Sequence, residues 1–307
     1  MLKDEYKNKL IEILDENKVS FDVPMSEWTS FKTGGNAECM IHPKTEEEII
    51  EVIKFAKEND IPYYILGNGT NTLVRDGGIK GIIIGLYQNF NSIDIDEETG
   101  IVRVKAGTLL SAVANLACRA GLSGIEFAGG IPGCIGGAIK MNAGAYEGEM
   151  KDIVEKVKIL HEDLSVKEYT NEEMQFGYRT SIVKDTDIVL EISIKLVKKE
   201  TSKIRSKMVE LAKKRKEKQP LNLPSAGSAF KRPKGNYAGK LIQEAGLQGY
   251  TVGGAQVSKK HAGFVVNTGK ATAEDVETIL KDIQDKVYEK HKVELEKEII
   301  IIGDKDN

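Results

Sequence analysis

Two stretches of this chain are suited to hold a ligand before any fold is known: GNGTN at 67–71 and AGGIPGCIGGAIKMNAGA at 128–145. Glycines at this density let the backbone take positive φ and bring N–H groups against an anion with no Cβ in the way. Asn68, Thr70, Asn71 and Asn142 would add side-chain donors. A dinucleotide turn of the G-x-G-x-x-G kind does not fit, because its third glycine falls at Thr72 and LVRDGGIKGIII comes next in place of a helix. A P-loop does not fit either, since neither Gly239–Lys240 nor Gly269–Lys270 is followed by serine or threonine. A floppy linker is a poor description of 127–148, whose Ile131, Pro132, Ile135 and Ile139 need burial or stiffen the chain. Each loop alone could be a tight turn under a sheet; the two together read as an anion-binding concavity.

The elements that must position these loops are set by periodicity. Leu2, Tyr6, Leu10, Ile13 and Leu14 recur at helical spacing, and PKTEEEIIEVIKFAKEND carries Thr45 and Glu48 in capping-box spacing before an amphipathic run. YYIL (63–66), the loop GNGTNTLVRDGG and GIIIGL then complete a small strand–helix–strand unit. Alternating strands come next at 101–107, 153–161 and 187–197, with a helix in TLLSAVANLACRAGL between the first two. A basic helix, TSKIRSKMVELAKKRKEKQP, ends at Pro220 and leads to a short helix, AGKLIQEAG, the strand AGFVVN, a long helix from Thr272 to about Lys292, and a last strand, LEKEIIII. Strands and helices in mixed order argue for an α+β protein of several domains, and 307 residues are enough for two or three.

Composition narrows the partners. A formal net charge of -3 offers no field for nucleic acid or an anionic membrane, and no run approaches a spanning helix, so small-molecule partners in the cytoplasm are expected. Cys39, Cys118 and Cys134 are far apart and odd in number, and the four histidines form no H-x-x-x-H pair, so neither a disulfide framework nor a metal site is expected.

The chemistry-bearing residues gain meaning as a series. WTSFKTGGNAE (28–38), LGNGTNTLV (66–74), GIEFAGGIPGCIGGAIKMNAGAYEGEM (124–150), FGYRTS (176–181), RKEKQPLNLPSAGSAFKRP (215–233), AGKLIQEAGLQGYTVGGAQVSKKHAGFVVN (238–267) and VELEKEIIIIG (293–303) together resemble the UDP-N-acetylenolpyruvoylglucosamine reductase family, in order and over nearly the whole chain. The resemblance implies a two-subdomain FAD-binding fold of the vanillyl-alcohol-oxidase/p-cresol-methylhydroxylase type plus a C-terminal α+β substrate domain. The expected divisions are 1–86 and 87–200 for the two FAD-binding subdomains and 201–307 for the substrate domain.

It also implies bound FAD, NADPH as reductant, and UDP-N-acetylglucosamine enolpyruvate as the substrate reduced to UDP-N-acetylmuramate, in a protein expected to be monomeric. Ser228 corresponds to the family's proton donor, Arg179 to the group facing the substrate carboxylate, and Glu298 to a second acid at the developing enolate. FAD contacts are expected from Thr29, Ser30, Thr33, Gly34 and Gly35, from Gly67, Asn68, Gly69, Thr70 and Asn71, and from Gly129, Gly130, Pro132, Gly133, Gly136, Gly137, Ala138 and Asn142. Substrate contacts are expected from Lys218, Arg232, Tyr237, Lys259, His261 and Asn267, although His261 could equally be a structural histidine. Without the resemblance, Glu294, Glu296 and Glu298 would read as a solvated strand edge. FGYRTSIVKDTDIVLEI runs straight into a strand, so the chain looks like the shorter type that lacks an inserted tyrosine loop over the substrate. Two rival readings are another flavin oxidoreductase of the same superfamily and a flavin- or nucleotide-binding module without catalysis.

Overall fold

The computed structural model describes residues 2–306. Its first region begins with helix α1 (Asp4–Leu14), which buries Leu10 and Leu14, then strand β1 (Val19–Pro24), a single turn α2 (Met25–Trp28) and β2 (Asn36–Ile41). Helix α3 (Glu46–Glu58) starts where the capping signal lies: Thr45 Oγ1 accepts from Glu48 N at 3.2 Å. The Glu48 carboxylate reaches one residue further back than the usual box, accepting from Lys44 N at 2.6 Å. Strands β3 (Tyr63–Leu66), β4 (Thr72–Val74) and β5 (Ile79–Gly85) complete the region. The sheet order is β1-β2-β5-β3, with β2 and β3 both parallel to β5 and β1 antiparallel to β2. β5 is covered on both faces, which is why its sequence is almost unbroken isoleucine and glycine.

The second region is a five-stranded antiparallel sheet built from β6 (Ile93–Asp96), β7 (Ile101–Lys105), β8 (Val154–Leu160), β9 (Val166–Thr170) and β10 (Ile188–Lys195), in the order β9-β8-β10-β7-β6. Helices α4 (Leu110–Arg119) and α5 (Ile135–Lys140) lie between β7 and β8 in the chain, and α5 packs on β10 and β7. One continuous core joins Leu10, Leu14, Val52 and Ile82 of the first region to Val104, Ile135, Val157 and Ile192 of the second.

Helix α6 (Thr201–Lys218) packs on α4 and on the turn Glu126–Ala128 through Ile204 and Leu211, so its burial is against the second region rather than against the chain beyond Pro220. The remaining chain holds α7 (Ala238–Glu244), a three-stranded antiparallel sheet of β11 (Thr251–Val252), β12 (Ala255–Val257) and β13 (Val265–Asn267), helix α8 (Ala273–His291) and β14 (Ile300–Ile302). Its own core includes Leu241, Val257, Val265, Ile279, Leu280 and Ile283, and Phe31 and Leu73 of the first region enter it.

Two sequence expectations are corrected here. The span read as one loop after YYIL contains β4, and the span read as one long last strand is extended pairing only at β14, with Lys297 bridging Phe230. The cause is shared: β14 runs parallel to β4, so each three-residue strand exists because of the other. The first and last regions are further fastened at α8. Thr272 and Asp275 form a reciprocal capping box, and Asp76 accepts from Ala273 N and Glu274 N at 2.9 Å each. Arg75 holds Glu277 with a two-point contact of 2.7 and 3.2 Å. Among the described residues no helix is long and apolar enough to cross a membrane.

Candidate active site

The two glycine loops meet. Thr70 Oγ1 donates to Pro132 O at 3.3 Å, and a Cβ at Gly67 would stand 3.4 Å from Cys134 Cβ. The backbone approaches leave no room for side chains. A Cβ at Gly69, whose φ is +59°, would fall 2.1 Å from Trp28 O, and one at Gly35 would fall 2.1 Å from Asp76 O. The second stretch is not wholly made of turns as expected, because it contains α5. Gly136 explains why: its Cα face presses on Ala106, leaving 2.7 Å to Ala106 Cβ for any added Cβ, so the helix seats on the end of β7. Gly137, next along, is exposed and would meet nothing within 4 Å.

The expected cofactor residues therefore separate. Gly137 faces open space, and the half-buried Asn68 side-chain amide has no hydrogen-bond partner among the described residues. Gly34, Gly35, Gly69 and Gly136 serve by close packing. Gly129 and Gly130 lie against α6, near Met208 and the stem of Arg215, while Ala138 is buried. Four expected donors already have partners within the protein. Thr29, 2 % exposed, donates to Thr33 O at 3.3 Å; Thr33 donates to Ala271 O at 2.7 Å; Asn71 donates to Glu298 O at 2.9 Å; and Asn142 donates to Glu149 and to Gly177 O. Each bond crosses between chain segments or closes a turn, which no local pattern could announce. Ser30 is half-buried, and its N–H holds Gly69 O at 3.0 Å. Burial pushes the Cys134 thiol up to about 12, so it is inert beside the loops.

Arg179, Ser228 and Glu298 come from three distant segments. Gly177 and Thr180 bridge each other, lifting Tyr178 and Arg179 to the tip of a turn in which Arg179 has φ 56°. A non-glycine residue in that region costs roughly 1–3 kcal/mol, and such outliers concentrate at sites of function. Arg179 Nε donates to Glu298 Oε1 at 2.7 Å, with the two side chains 22 % and 13 % exposed. Burial pushes the Glu298 carboxyl above its ordinary value, against the opposing charges of Arg179 and Lys231. Glu296, which shares the expected strand face, is instead exposed and paired with Lys231. Ser228 bridges Phe264, and the adjacent Ala229 accepts from Glu298 N at 2.9 Å, so the serine stands one residue from the backbone that carries the acid. Its hydroxyl has no partner among the described residues, and the preceding Gly227 opens onto space.

The expected substrate residues also divide. The Arg232 guanidinium lies 4.0 Å over the Tyr237 ring, and Arg232 N donates to Tyr178 Oη at 2.9 Å, which ties this pair to the Arg179 turn. Lys218 is exposed at the end of α6 near His261, whose imidazole is held below its ordinary value first by burial and then by the Lys218 charge. Gly263 N donates to His261 Nδ1 at 3.1 Å, so this histidine is neutral and locally fastened. Lys259 is exposed. Asn267 is a correction: only 4 % exposed, it donates to Phe31 O and accepts from Gly269 N and Ala271 N, leaving nothing for a substrate.

Two polar residues passed over in the sequence stand out. Arg215 is half-buried with no carboxylate partner among the described residues, and Gln219 Oε1 is buried without a hydrogen bond. Their spacing of four at the end of α6 was the available signal. Arg215 lines a cavity of about 380 Å³ with Arg119, Arg205, Gly129, Gly130 and Tyr146. None of its three arginines has a carboxylate partner among the described residues, and the one carboxylate in its lining, Glu126, is held by Ser123 Oγ at 2.6 Å and Gly124 N at 2.7 Å.

Comparison with known proteins bears on the family and the fold. Residues 37–168 match the family model of an FAD binding domain, and residues 219–302 match that of the UDP-N-acetylenolpyruvoylglucosamine reductase C-terminal domain. The chain is 50 % identical to UDP-N-acetylenolpyruvoylglucosamine reductase of Caldanaerobacter subterraneus, over 97 % of this chain and 98 % of that protein. It is 47 % identical to the reductase of Clostridioides difficile, over 98 % and 99 % respectively. The crystal structure of the reductase from Thermus caldophilus superposes with a TM-score of 0.77 at 39 % identity, covering 92 % of this chain and 98 % of that one. A glucose dehydrogenase, Phl p 4.0202, superposes over 64 % of this chain and 45 % of its own with a TM-score of 0.50 at 13 % identity, a likeness of fold alone.

Proposed function

The chain belongs to the UDP-N-acetylenolpyruvoylglucosamine reductase family, and we propose that its Arg179, Glu298 and Ser228 carry the reduction of UDP-N-acetylglucosamine enolpyruvate to UDP-N-acetylmuramate. FAD, when bound, would supply hydride chemistry, with NADPH as the reductant and the terminal methylene carbon of the enolpyruvyl ether as the acceptor. The backbone of the Gly67–Thr70 loop and the open face at Gly137 would hold the cofactor. Lys218, Arg232 and Tyr237 receive the nucleotide end of the substrate, where an exposed ammonium and a guanidinium stacked on a ring suit a diphosphate and a base.

Hydride arrival leaves negative charge on the carbon bonded to the ether oxygen, shared with its carboxylate. Arg179 is permanently charged, and its planar fork can span both carboxylate oxygens while the charge grows. Glu298, with its pKa raised by burial, keeps a proton to higher pH than an ordinary glutamate and donates a hydrogen bond to the enolate oxygen. Ser228 transfers its proton to the carbon that carries the charge, and its unpartnered hydroxyl is free to turn toward it. The observation that carries this assignment is the Arg179–Glu298 contact of 2.7 Å beside the Ser228–Ala229 backbone and against the glycine loops. All three residues come from one chain, so a monomer is sufficient. A nucleotide-sugar substrate and NADPH accord with a reaction in the cytoplasm.

Anaerobic mixing tests the reading. Flavin absorbance should bleach on NADPH and recover on UDP-N-acetylglucosamine enolpyruvate. Purified protein that binds no flavin, or reduced flavin that the enolpyruvyl ether cannot reoxidise, would refute it.

A further inference from the structure

The glycine loops are bonded to the segments that carry Arg179 and Glu298, and an asparagine side chain makes one such contact to each segment. From the first loop, Asn71 Nδ2 donates to Glu298 O at 2.9 Å, while Asn71 O accepts from Ile300 N at 2.9 Å. The main chain around the acid is thereby fixed to the loop. From the second stretch, Asn142 Nδ2 donates to Gly177 O at 3.0 Å, and Gly177 is the residue that closes the Arg179 turn.

Asn142 is 1 % exposed and has no capacity left for a ligand: it also donates to Glu149 Oε2 at 2.9 Å and accepts from Lys151 N at 2.9 Å. The Asn142 bond joins two strained segments, since Asn142 has φ 39° and Arg179 has φ 56°. Asparagine tolerates the left-handed region and arginine does so poorly, so the turn needs outside support and the asparagine can supply it.

We propose that Asn71 and Asn142 are positioning residues for the reduction step, each coupling one cofactor loop to one member of the Arg179–Glu298 pair. The proposal rests on the function assigned above. Electrostatic stabilisation of an enolate depends on charges fixed before the reaction, and a misplacement of about 1 Å can cost roughly a hundredfold in rate. Neither asparagine has to touch the cofactor to have this effect.

Asn71→Asp and Asn142→Asp keep the shape and replace a donating amide by an oxygen that only accepts. Both should purify with flavin at wild-type stoichiometry and bleach with NADPH at the wild-type rate. Reoxidation by UDP-N-acetylglucosamine enolpyruvate should slow about tenfold to a hundredfold, in kcat rather than KM. In an Arg179→Lys background Asn142→Asp should add less than about threefold, and Asn71→Asp should add as little in a Glu298→Gln background, because each pair acts as one unit. Should Asn142→Asp fail to fold beside Glu149, Asn142→Gly preserves the positive φ and should give the same split. Loss of flavin from either variant, equal slowing of both half-reactions, unchanged reoxidation, or losses that multiply in the double variants would overturn the proposal. Wild-type protein that bleaches yet cannot be reoxidised would overturn the assigned function instead.

Discussion

The cofactor cradle and the catalytic trio are held by opposite means. The cradle is made where side chains are missing: Gly35 and Gly69 let backbone lie on backbone, and Gly136 lets α5 sit on Ala106. The trio is made where side chains do the holding, with an Arg179–Glu298 contact of 2.7 Å, an arginine at positive φ and asparagines tying both to the loops. A site built of backbone tolerates almost no added atom, whereas one built of charges tolerates shape changes better than loss of a donor or a charge. Substitutions in the two regions should therefore fail differently.

The largest effect should come from Gly35→Val. Its Cβ would lie 2.1 Å from Asp76 O, so the backbone must move; a loss of at least about 3 kcal/mol is expected, seen as a Tm lowered by several degrees together with loss of flavin. Gly137→Val sharpens the contrast, because it adds its side chain to open space. The apoprotein should keep its Tm while FAD titration shows weakened binding; a lowered apoprotein Tm with intact flavin binding would make Gly137 another packing glycine.

Arg179→Lys should come next, with flavin and NADPH bleaching intact and reoxidation slowed roughly a hundredfold, because an ammonium cannot form the planar fork. Glu298 adds a pH dependence. Its pKa, raised by burial, means that the protonated form persists to higher pH than in an ordinary glutamate and is lost as pH rises through the raised value. The reoxidation rate should therefore decline with rising pH along that limb, and Glu298→Gln should flatten it; a limb that survives the substitution belongs to another group. Smallest of all, Glu277→Gln should lower stability by about 1 kcal/mol or less in thermal unfolding without altering either half-reaction, since the Arg75 pair is partly exposed and remote in function.

The same contrast governs what could be read from the sequence. Helices α3 and α8 were legible because their buried positions recur every three or four residues and Thr45 and Thr272 mark their starts. β7, β8 and β10 were legible by alternation and β-branched content. Helix α5 was not, because two glycines in six residues speak against a helix and only the contact with Ala106 overrides them. β4 and β14 are too short to show a period, and each is stabilised by a partner more than 200 residues away. In the site, the glycines and the trio could be located through a resemblance in ordered blocks, but the destinations of Thr33, Asn71, Asn142 and Asn267 could not. Their bonds run to distant carbonyls, and a polar side chain near a glycine loop looks the same in sequence whether it faces a ligand or the protein.

The central claim is that the backbone-built half holds the flavin for reduction by NADPH while the side-chain-built half completes the reduction of the enolpyruvyl ether. Anaerobic stopped-flow on Ser228→Ala tests it most directly, because the Ser228 hydroxyl has no hydrogen-bond partner among the described residues and its backbone bridge to Phe264 survives the substitution. The variant should carry flavin and bleach with NADPH at the wild-type rate, then remain bleached for at least about a hundredfold longer when UDP-N-acetylglucosamine enolpyruvate is added. Reoxidation at the wild-type rate would contradict the claim by removing Ser228 from proton transfer, and failure to bleach would contradict the division between the two halves.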